Sequence, residues 1–167
     1  MSNGSEMLLL LGALVIFSLT TININSMLAQ NSQVTTTQEY EYQAVAIGQS
    51  YIEAFRILAF DESTVGNTIP VNIPNDFSNA SNFGGNGEGE TVDEYDDFDD
   101  WHGFTATDST IHGPFSVEIT VIYVSSGDLN SNAGTKTPHK RMDVSVSNPY
   151  MSDDITLSYI RTYTGRL

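Results

Sequence analysis

The feature that most constrains this fold is an apolar run near the start of the chain. Thirteen apolar or small residues, Met7 to Leu19, directly follow Glu6, and no lysine or arginine occurs before Arg56. Three structures fit such a run: a signal peptide, a membrane-spanning helix, or a helix that packs against copies of itself. The residues around the run distinguish among them.

A signal peptide requires a basic region before its apolar stretch and a small-residue cleavage site after it. Residues 1–5 carry no cationic side chain, and Glu6 is acidic. The tetrapeptide Ser26-Met27-Leu28-Ala29 resembles a cleavage site only loosely. Cleavage of this segment as a conventional signal peptide is therefore not expected.

A membrane-spanning helix is compatible with the length of the segment but less so with its second half. A bilayer requires about 20 apolar residues, and Met7 to Leu28 contains 22. The second half, however, is polar at Thr20, Thr21, Asn23, Asn25 and Ser26. A helix that leaves lipid and then packs among protein neighbours tolerates such residues better, because their amides and hydroxyls bond between helices.

The residues after the apolar run continue the helical pattern. Apolar residues recur at intervals of three and four, which predicts an amphipathic helix; they are Ala44, Ile47, Tyr51, Ala54, Phe55 and Leu58. One helix from about Ser5 to Phe60 would be about 80 Å long, and residues 31–37 are its weakest stretch, where it could break locally. A domain of this size cannot bury such a helix, so its first half is expected to project and to contact lipid or other copies.

The last third of the chain predicts an antiparallel meander covered by the second half of the helix. Apolar and polar residues alternate in three segments: Phe115 to Val124, Met142 to Ser147, and Ile155 to Ile160. The fold expected is α+β. Its divisions are an apolar half-helix (1–30), an amphipathic half-helix (31–62), an acidic loop-rich region (63–114) and the sheet (115–167). Residues 31–167 together form one globular domain, and Ile69 to Ile73 is a possible short strand.

Composition excludes several classes of function. With 21 acidic and 6 basic residues and a net charge of −15, the chain is not expected to bind nucleic acid, whose phosphates require lysine and arginine. It contains no cysteine, which excludes disulfides and thiolate zinc sites. His102, His112 and His139 all lie in predicted loops without metal-ligand spacing, and no nucleophile elbow is present. An enzyme is therefore not expected.

The segment from Glu88 to Asp100 contains eight acidic residues and permits two interpretations. Asp96, Asp97, Asp99 and Asp100 could hold Ca²⁺, which prefers carboxylate oxygens, although the spacing is not that of an EF-hand. Alternatively, the segment is a solvated acidic loop anchored by Phe98, Trp101 and Phe104. Apart from this possible Ca²⁺, no cofactor is expected.

The order of these features resembles that of type IV pilins and pilin-like proteins. Glu6 followed by an apolar half-helix, an amphipathic half-helix and a small antiparallel sheet is the arrangement of that family. If only Met1 were removed, Glu6 would be the fifth residue, which is the register of the family's acidic residue, whereas Ser2 stands where the family usually has Phe or Met. The stretch Asp96 to Phe104, DDFDDWHGF, is also similar to a stretch in some pilin-like proteins.

The resemblance implies a structural subunit that sits in the membrane before assembly and then forms a helical homopolymer at the cell surface. It also implies that Glu6 pairs with the N-terminal amine of a neighbouring subunit; alternatively, Glu6 is an ordinary acid at a helix N-terminus, where the helix dipole favours it. The alternatives are a minor pseudopilin of a secretion system and a single-span, membrane-anchored extracytoplasmic binding protein with a Ca²⁺-stabilised acidic loop. The residues expected at the subunit contacts are Glu6, Met7, Leu8, Leu9, Leu10, Leu11, Leu14, Val15, Ile16, Phe17, Leu19, Ile22 and Ile24.

Overall fold

The computed structural model describes residues 3–165 and has the expected α+β fold. Helix α1 spans Asn3–Phe55, and α2 is a single short helix at Gly85–Glu88. Two 3₁₀ helices lie between them, at Glu62–Asn67 and Ala80–Asn82. Four strands follow: β1 (Thr105–Thr110), β2 (Gly113–Tyr123), β3 (His139–Ser147) and β4 (Ile155–Thr162). They form one antiparallel sheet in the order β1-β2-β3-β4.

Helix α1 continues without a break through residues 31–37, the stretch predicted to be its weakest. Threonine has modest helix propensity, but each of the three consecutive threonines donates its hydroxyl to the carbonyl four residues earlier. Thr35 bonds Asn31 at 2.9 Å, Thr36 bonds Ser32 at 3.0 Å, and Thr37 bonds Gln33 at 3.1 Å. These bonds satisfy the hydroxyl groups locally.

Helix α1 ends at Phe55, before the predicted end at Phe60. Tertiary bonds hold the next residues in a non-helical path. The Arg161 guanidinium on β4 donates to the carbonyls of Leu58 and Ala59, and the Ala59 N–H donates to the Asp96 carbonyl at 3.0 Å. Leu58 therefore lies beyond the helix, although it still packs against the core.

The chain divides into two compact units, one through Glu39 and the other from Tyr40 onward. In the first unit, every side chain from residue 3 to residue 36 is exposed. The second unit has its own apolar core. The residues of α1 that are buried in that core are Ala44, Ile47 and Phe55, whereas Ala54 is exposed.

The core of the second unit lies between the C-terminal part of α1 and one face of the sheet, as the alternation predicted. The buried sheet residues are Phe115, Val117, Ile119, Val121 and Tyr123 of β2 and Met142, Val144 and Val146 of β3. Val144 pairs with Ile119 on one side and with Leu157 on the other, so the apolar residues of the three strands are in register. The core is completed by four phenylalanines from the segment between α1 and β1: Phe60, Phe77, Phe83 and Phe98.

The region 63–114 differs from the prediction in two places. Strand β1 lies within it, although its sequence TATDST has no apolar alternation. Its place at the sheet edge explains this, because an edge strand needs only backbone pairing and partial burial. Ile69 to Ile73 is not a strand; Ile69, Val71 and Ile73 are exposed in a turn-rich segment.

Gly48 permits the close approach of α1 to the sheet. A Cβ atom at this position would lie 2.7 Å from Leu157 Cδ1 and 3.6 Å from Val146 Cγ2. Gly48→Leu is therefore expected to lower the free energy of unfolding by about 1–3 kcal/mol through overpacking. Urea denaturation of the detergent-solubilised protein measures this change.

The double variant Gly48→Leu, Leu157→Ala provides the control, because it restores space at the contact. It should be more stable than the sum of the two single effects predicts. Strictly additive losses would show that the helix and β4 do not meet at this point.

Candidate functional site

The apolar residues expected at subunit contacts all lie on α1 and are exposed. Their exposed fractions range from 52% at Ile24 to 74% at Leu9. Among residues 3–165, α1 alone is long and apolar enough to cross a membrane, and none of its most apolar stretch is buried. A single apolar N-terminal helix of this kind is compatible with membrane association.

Glu6 lies in the first turn of α1. A carboxylate there interacts favourably with the positive end of the helix dipole. The polar residues of the second half of the segment are partly satisfied within the helix, since Thr20 donates to the Ile16 carbonyl at 2.7 Å and Thr21 to the Phe17 carbonyl at 2.8 Å. The hydroxyl groups of this segment are therefore compatible with an apolar environment.

The acidic segment is not simply a solvated loop, because three of its four central aspartates are buried. Asp97 is 0% exposed, and Asp99 and Asp100 are each 2% exposed, whereas Asp96 is exposed. Asp97 Oδ1 accepts the N–H groups of Asp99 at 2.8 Å and Asp100 at 3.1 Å. Asp100 Oδ2 accepts those of Asp96 and Asp97 at 3.0 and 2.9 Å. These bonds fold the segment on itself, with Phe98 in the core.

Lys140 is the cation that the buried aspartates require. It lies on the inward face of β3 and is 0% exposed. Its ammonium donates to Asp61 Oδ2 at 2.7 Å, to the Phe60 carbonyl at 2.9 Å, and to Asp99 Oδ1. Phe60 and Phe83 also present their ring faces to it, with centroids at 4.6 and 5.1 Å. The ammonium therefore has a full set of partners without water.

Asp61 links Lys140 to the segment between α1 and β1. Its carboxylate accepts N–H bonds from Ser63 at 3.2 Å and Ser78 at 2.9 Å, and a hydroxyl bond from Ser63 at 2.8 Å. Burial opposes ionisation of Asp61, but Lys140 and these donors outweigh it and lower its pKa. The Tyr123 hydroxyl donates to the Ser78 carbonyl at 2.7 Å, and burial next to Asp61 raises the pKa of Tyr123.

A second set of carboxylates lies beside this ion pair. Three overlapping groups each bring one oxygen per residue within 4.8 Å of the others; they are Glu62-Glu90-Asp96, Glu62-Glu88-Asp97 and Glu88-Glu90-Asp100. Asp96, Asp97 and Asp100 thus lie where carboxylate oxygens converge. Asp99, which was predicted with them, belongs to none of the groups found among residues 3–165 and pairs with Lys140 instead.

The sequence prediction missed Glu62, Glu88 and Glu90. Glu88 and Glu90 belong to the same acidic run and could have been included on that ground. Glu62 is far from the run in sequence and directly follows Asp61. The pairing of Asp61 and Asp99 with the same lysine helps to bring this part of the chain to the acidic loop, a contact that the sequence does not show.

Burial and crowding disfavour the ionisation of several of these carboxylates. Burial, with the neighbouring Asp99 carboxylate, raises the pKa of Asp97. Burial and the charges of Asp100 and Asp96 raise the pKa of Glu90 to about 7. The folded chain therefore holds these acids at an electrostatic cost that a bound cation would reduce.

The histidines have structural contacts. His102 is half-buried, and its Nδ1 accepts the Val121 N–H at 3.0 Å, while burial lowers its pKa. His139 Nδ1 lies 3.0 Å from the Thr162 hydroxyl on the neighbouring strand. The His112 ring packs edge-on against Tyr40. His139 is the first residue of β3, so its predicted place in a loop was wrong, and all three rings are partly buried.

Lys140→Met should strongly destabilise the second unit, because it leaves two buried carboxylates without their cation. Loss of one partner of a buried ion pair costs about 3–5 kcal/mol. Denaturant unfolding followed by Trp101 fluorescence measures the loss, since Trp101 stacks on Phe55 in the core with ring centroids 3.9 Å apart.

Two controls accompany this prediction. Arg56→Met removes the exposed pair with Glu53 and should change stability by less than about 1 kcal/mol. Adding Asp61→Asn and Asp99→Asn to Lys140→Met should restore part of the stability, because it removes the unpaired charges. Equal stability of Lys140→Met and the wild type would contradict the role assigned to the ion pair.

No family model, curated protein or solved structure matches this chain. The likeness to pilins therefore rests on the residues themselves: Glu6, the apolar run behind it, and the order of helix and sheet. Function is inferred from that arrangement and from the chemistry of the residues described above.

Proposed function

We propose that this protein is a structural subunit of a type IV pilus-like filament at the cell surface. The observation that carries the proposal is the exposed apolar part of α1. The same helix continues into the second unit, which has its own fully formed apolar core. Before assembly, this part of α1 holds the subunit in the membrane. After assembly, the same residues pack against those of other copies.

The hydrophobic effect supplies the driving force for this assembly. Burying apolar surface contributes roughly 25 cal/mol per Å², and the segment exposes a dense set of large apolar side chains. Those side chains are Met7, Leu8, Leu9, Leu10, Leu11, Leu14, Val15, Ile16, Phe17, Leu19, Ile22, Ile24, Met27 and Leu28. A surface of this kind requires either lipid or protein around it.

The polarity of residues 20–26 favours a protein environment over permanent contact with lipid. Asn23 and Asn25 carry amides that cost free energy in hydrocarbon unless they are bonded. Neighbouring helices offer such partners. Head-to-tail contacts between identical subunits are heterologous, so they build an open helical polymer rather than a closed ring.

Glu6 gives the assembly its axial register. In a filament core, an unpaired carboxylate costs several kcal/mol, and the N-terminal amine of a neighbouring subunit neutralises it. Subunits at the wrong axial position along the filament would leave the Glu6 charge unpaired, so the correct axial position is favoured.

A membrane-anchored monomer is the second candidate. The observation that favours it is the length of the apolar segment of α1, which is sufficient to span a bilayer. In that case the second unit would be a binding domain on the membrane surface. A minor pseudopilin of a secretion machine would use the same segment within a mixed assembly.

Removal of detergent distinguishes the filament from the anchored monomer. The full chain is expected to form polymers visible by electron microscopy once detergent is dialysed away, whereas a variant lacking residues 1–30 should stay monomeric by light scattering. Fibres sheared from cells should contain the subunit with residues 7–28 intact by mass spectrometry. A full chain that stays monomeric without detergent would overturn the filament proposal.

Glu6→Ala is expected to reduce polymer yield at least tenfold, since the loss of a buried charge pair exceeds the 1.4 kcal/mol that corresponds to a factor of ten. The melting temperature of the second unit should not change. Glu39→Ala, an exposed substitution later on the same helix, is the matched control and should assemble normally. Normal filaments from Glu6→Ala would disprove the register role while leaving the filament itself in place.

A further inference from the structure

The acidic cluster beside Lys140 has an arrangement that hydrogen bonding does not explain. Its carboxylates come from three parts of the chain: Glu62 from the 3₁₀ helix after α1, Glu88 and Glu90 from α2 and the residues after it, and Asp96, Asp97 and Asp100 from the acidic loop. Each of the three groups contains two of the glutamates and one of the aspartates. The three groups therefore overlap, since each glutamate belongs to two of them.

We propose that Glu62, Glu88, Glu90, Asp96, Asp97 and Asp100 form a calcium-binding site. Calcium takes 6–8 oxygen ligands at about 2.3–2.6 Å, so oxygens on opposite sides of one ion lie about 5 Å apart. The oxygens within each group lie within 4.8 Å of one another. The spacing within each group is thus that of ligands around a single ion.

Unpartnered buried oxygens provide an independent observation. The Asp97 side chain is 0% exposed, and its Oδ2 has no hydrogen-bond partner among residues 3–165, although its Oδ1 accepts two N–H groups. Glu88 Oε2 and Glu90 Oε2 are likewise covered and without a partner among the described residues. Buried carboxylate oxygens are costly without a donor or a cation. One oxygen of the Asp97 carboxylate lies within 4.8 Å of one oxygen each of Glu62 and Glu88.

No side-chain ion pair among the described residues neutralises this cluster directly. Four ion pairs join side chains within residues 3–165, and none includes any of the six carboxylates. The nearby Lys140 is already bonded to Asp61, Asp99 and the Phe60 carbonyl. A cation from outside the chain would reduce the repulsion among these carboxylates.

The ligand chemistry selects calcium over other metals. All six side chains offer hard oxygen ligands, which transition metals such as zinc prefer less than imidazole or thiolate. The nearby His102 uses Nδ1 for the Val121 N–H. Magnesium usually retains several waters and binds one or two carboxylates, which does not fit a crowded set of six.

A bound calcium ion would fix the connection between α1 and the sheet. Glu62 directly follows Asp61 and lies seven residues beyond the end of α1 (62 − 55 = 7). The other ligands lie in the segment that leads to β1. The ion would thus join the chain that leaves the helix to the chain that enters the sheet. This inference concerns the second unit alone and does not depend on filament assembly.

The test uses the full chain in detergent, treated with EGTA and then titrated with CaCl₂ or MgCl₂. Calcium at saturating concentration is expected to raise the melting temperature by about 5 °C or more. It should also change the fluorescence of Trp101, the chain's single tryptophan, which directly follows Asp100. Magnesium at the same concentration should have a much smaller effect. An unchanged melting temperature and fluorescence with calcium would overturn the proposal.

Glu90→Gln distinguishes a ligand from a merely structural residue. In EGTA this variant should melt at the same temperature as the wild type or higher, because it removes one repelling charge. In calcium it should melt lower than the wild type, because it removes one ligand. Asp97→Asn keeps an Oδ1 acceptor for the two N–H groups and should also lose most of the calcium response.

Asp93→Asn is the matched control, since Asp93 lies exposed in the same acidic run and belongs to none of the three groups. It should keep the full calcium response. A calcium response that survives in both Glu90→Gln and Asp97→Asn, or that is lost equally in Asp93→Asn, would show that calcium acts on the general acidic surface and not at this site.

Discussion

The buried ammonium of Lys140 is the interaction on which the second unit of this protein depends. It joins Asp61, 79 residues away in sequence, to Asp99, 41 residues away. Because an isolated buried charge is very costly, the three residues must fold together. Their pairing brings the segment after α1 and the acidic loop to the same end of β3. Neither segment contains a regular strand that could hold it there by backbone pairing alone.

The same interaction explains why so many carboxylates lie close together. Asp61 and Asp99 are neutralised by Lys140, whereas the neighbours that they bring with them are not. Glu62 follows Asp61, and Asp97 and Asp100 flank Asp99 in the loop. Clusters of this kind are destabilising unless a cation enters. The ion pair thus links the two segments within the protein, and the cluster beside it becomes a site for a cation from outside the chain.

The first part of α1 differs from the second unit in that it forms without burying its side chains. Residues 3–36 are helical although none of their side chains is buried in the chain itself. The scarcity of glycine and proline keeps the segment helical, but its side chains are exposed throughout residues 3–36. Stability of the fold and exposure of the apolar surface are therefore assigned to separate parts of the chain. In the filament that we propose, this separation would allow a subunit to fold first and to associate afterwards.

Sequence by itself determined the elements whose burial pattern repeats at a regular period. Those are the helix, with Ala44 and Ile47 on its buried side, and strands β2, β3 and β4, whose alternation is explicit. It could not identify β1, because an edge strand of polar residues has no hydrophobic period, nor the end of α1, which the Arg161 guanidinium decides through bonds to Leu58 and Ala59. The composition of the acidic run pointed to Asp96, Asp97 and Asp100. Only the tertiary structure assigned Asp99 to Lys140 and brought Glu62 into the cluster, because the position of a buried charge depends on partners that are distant in sequence.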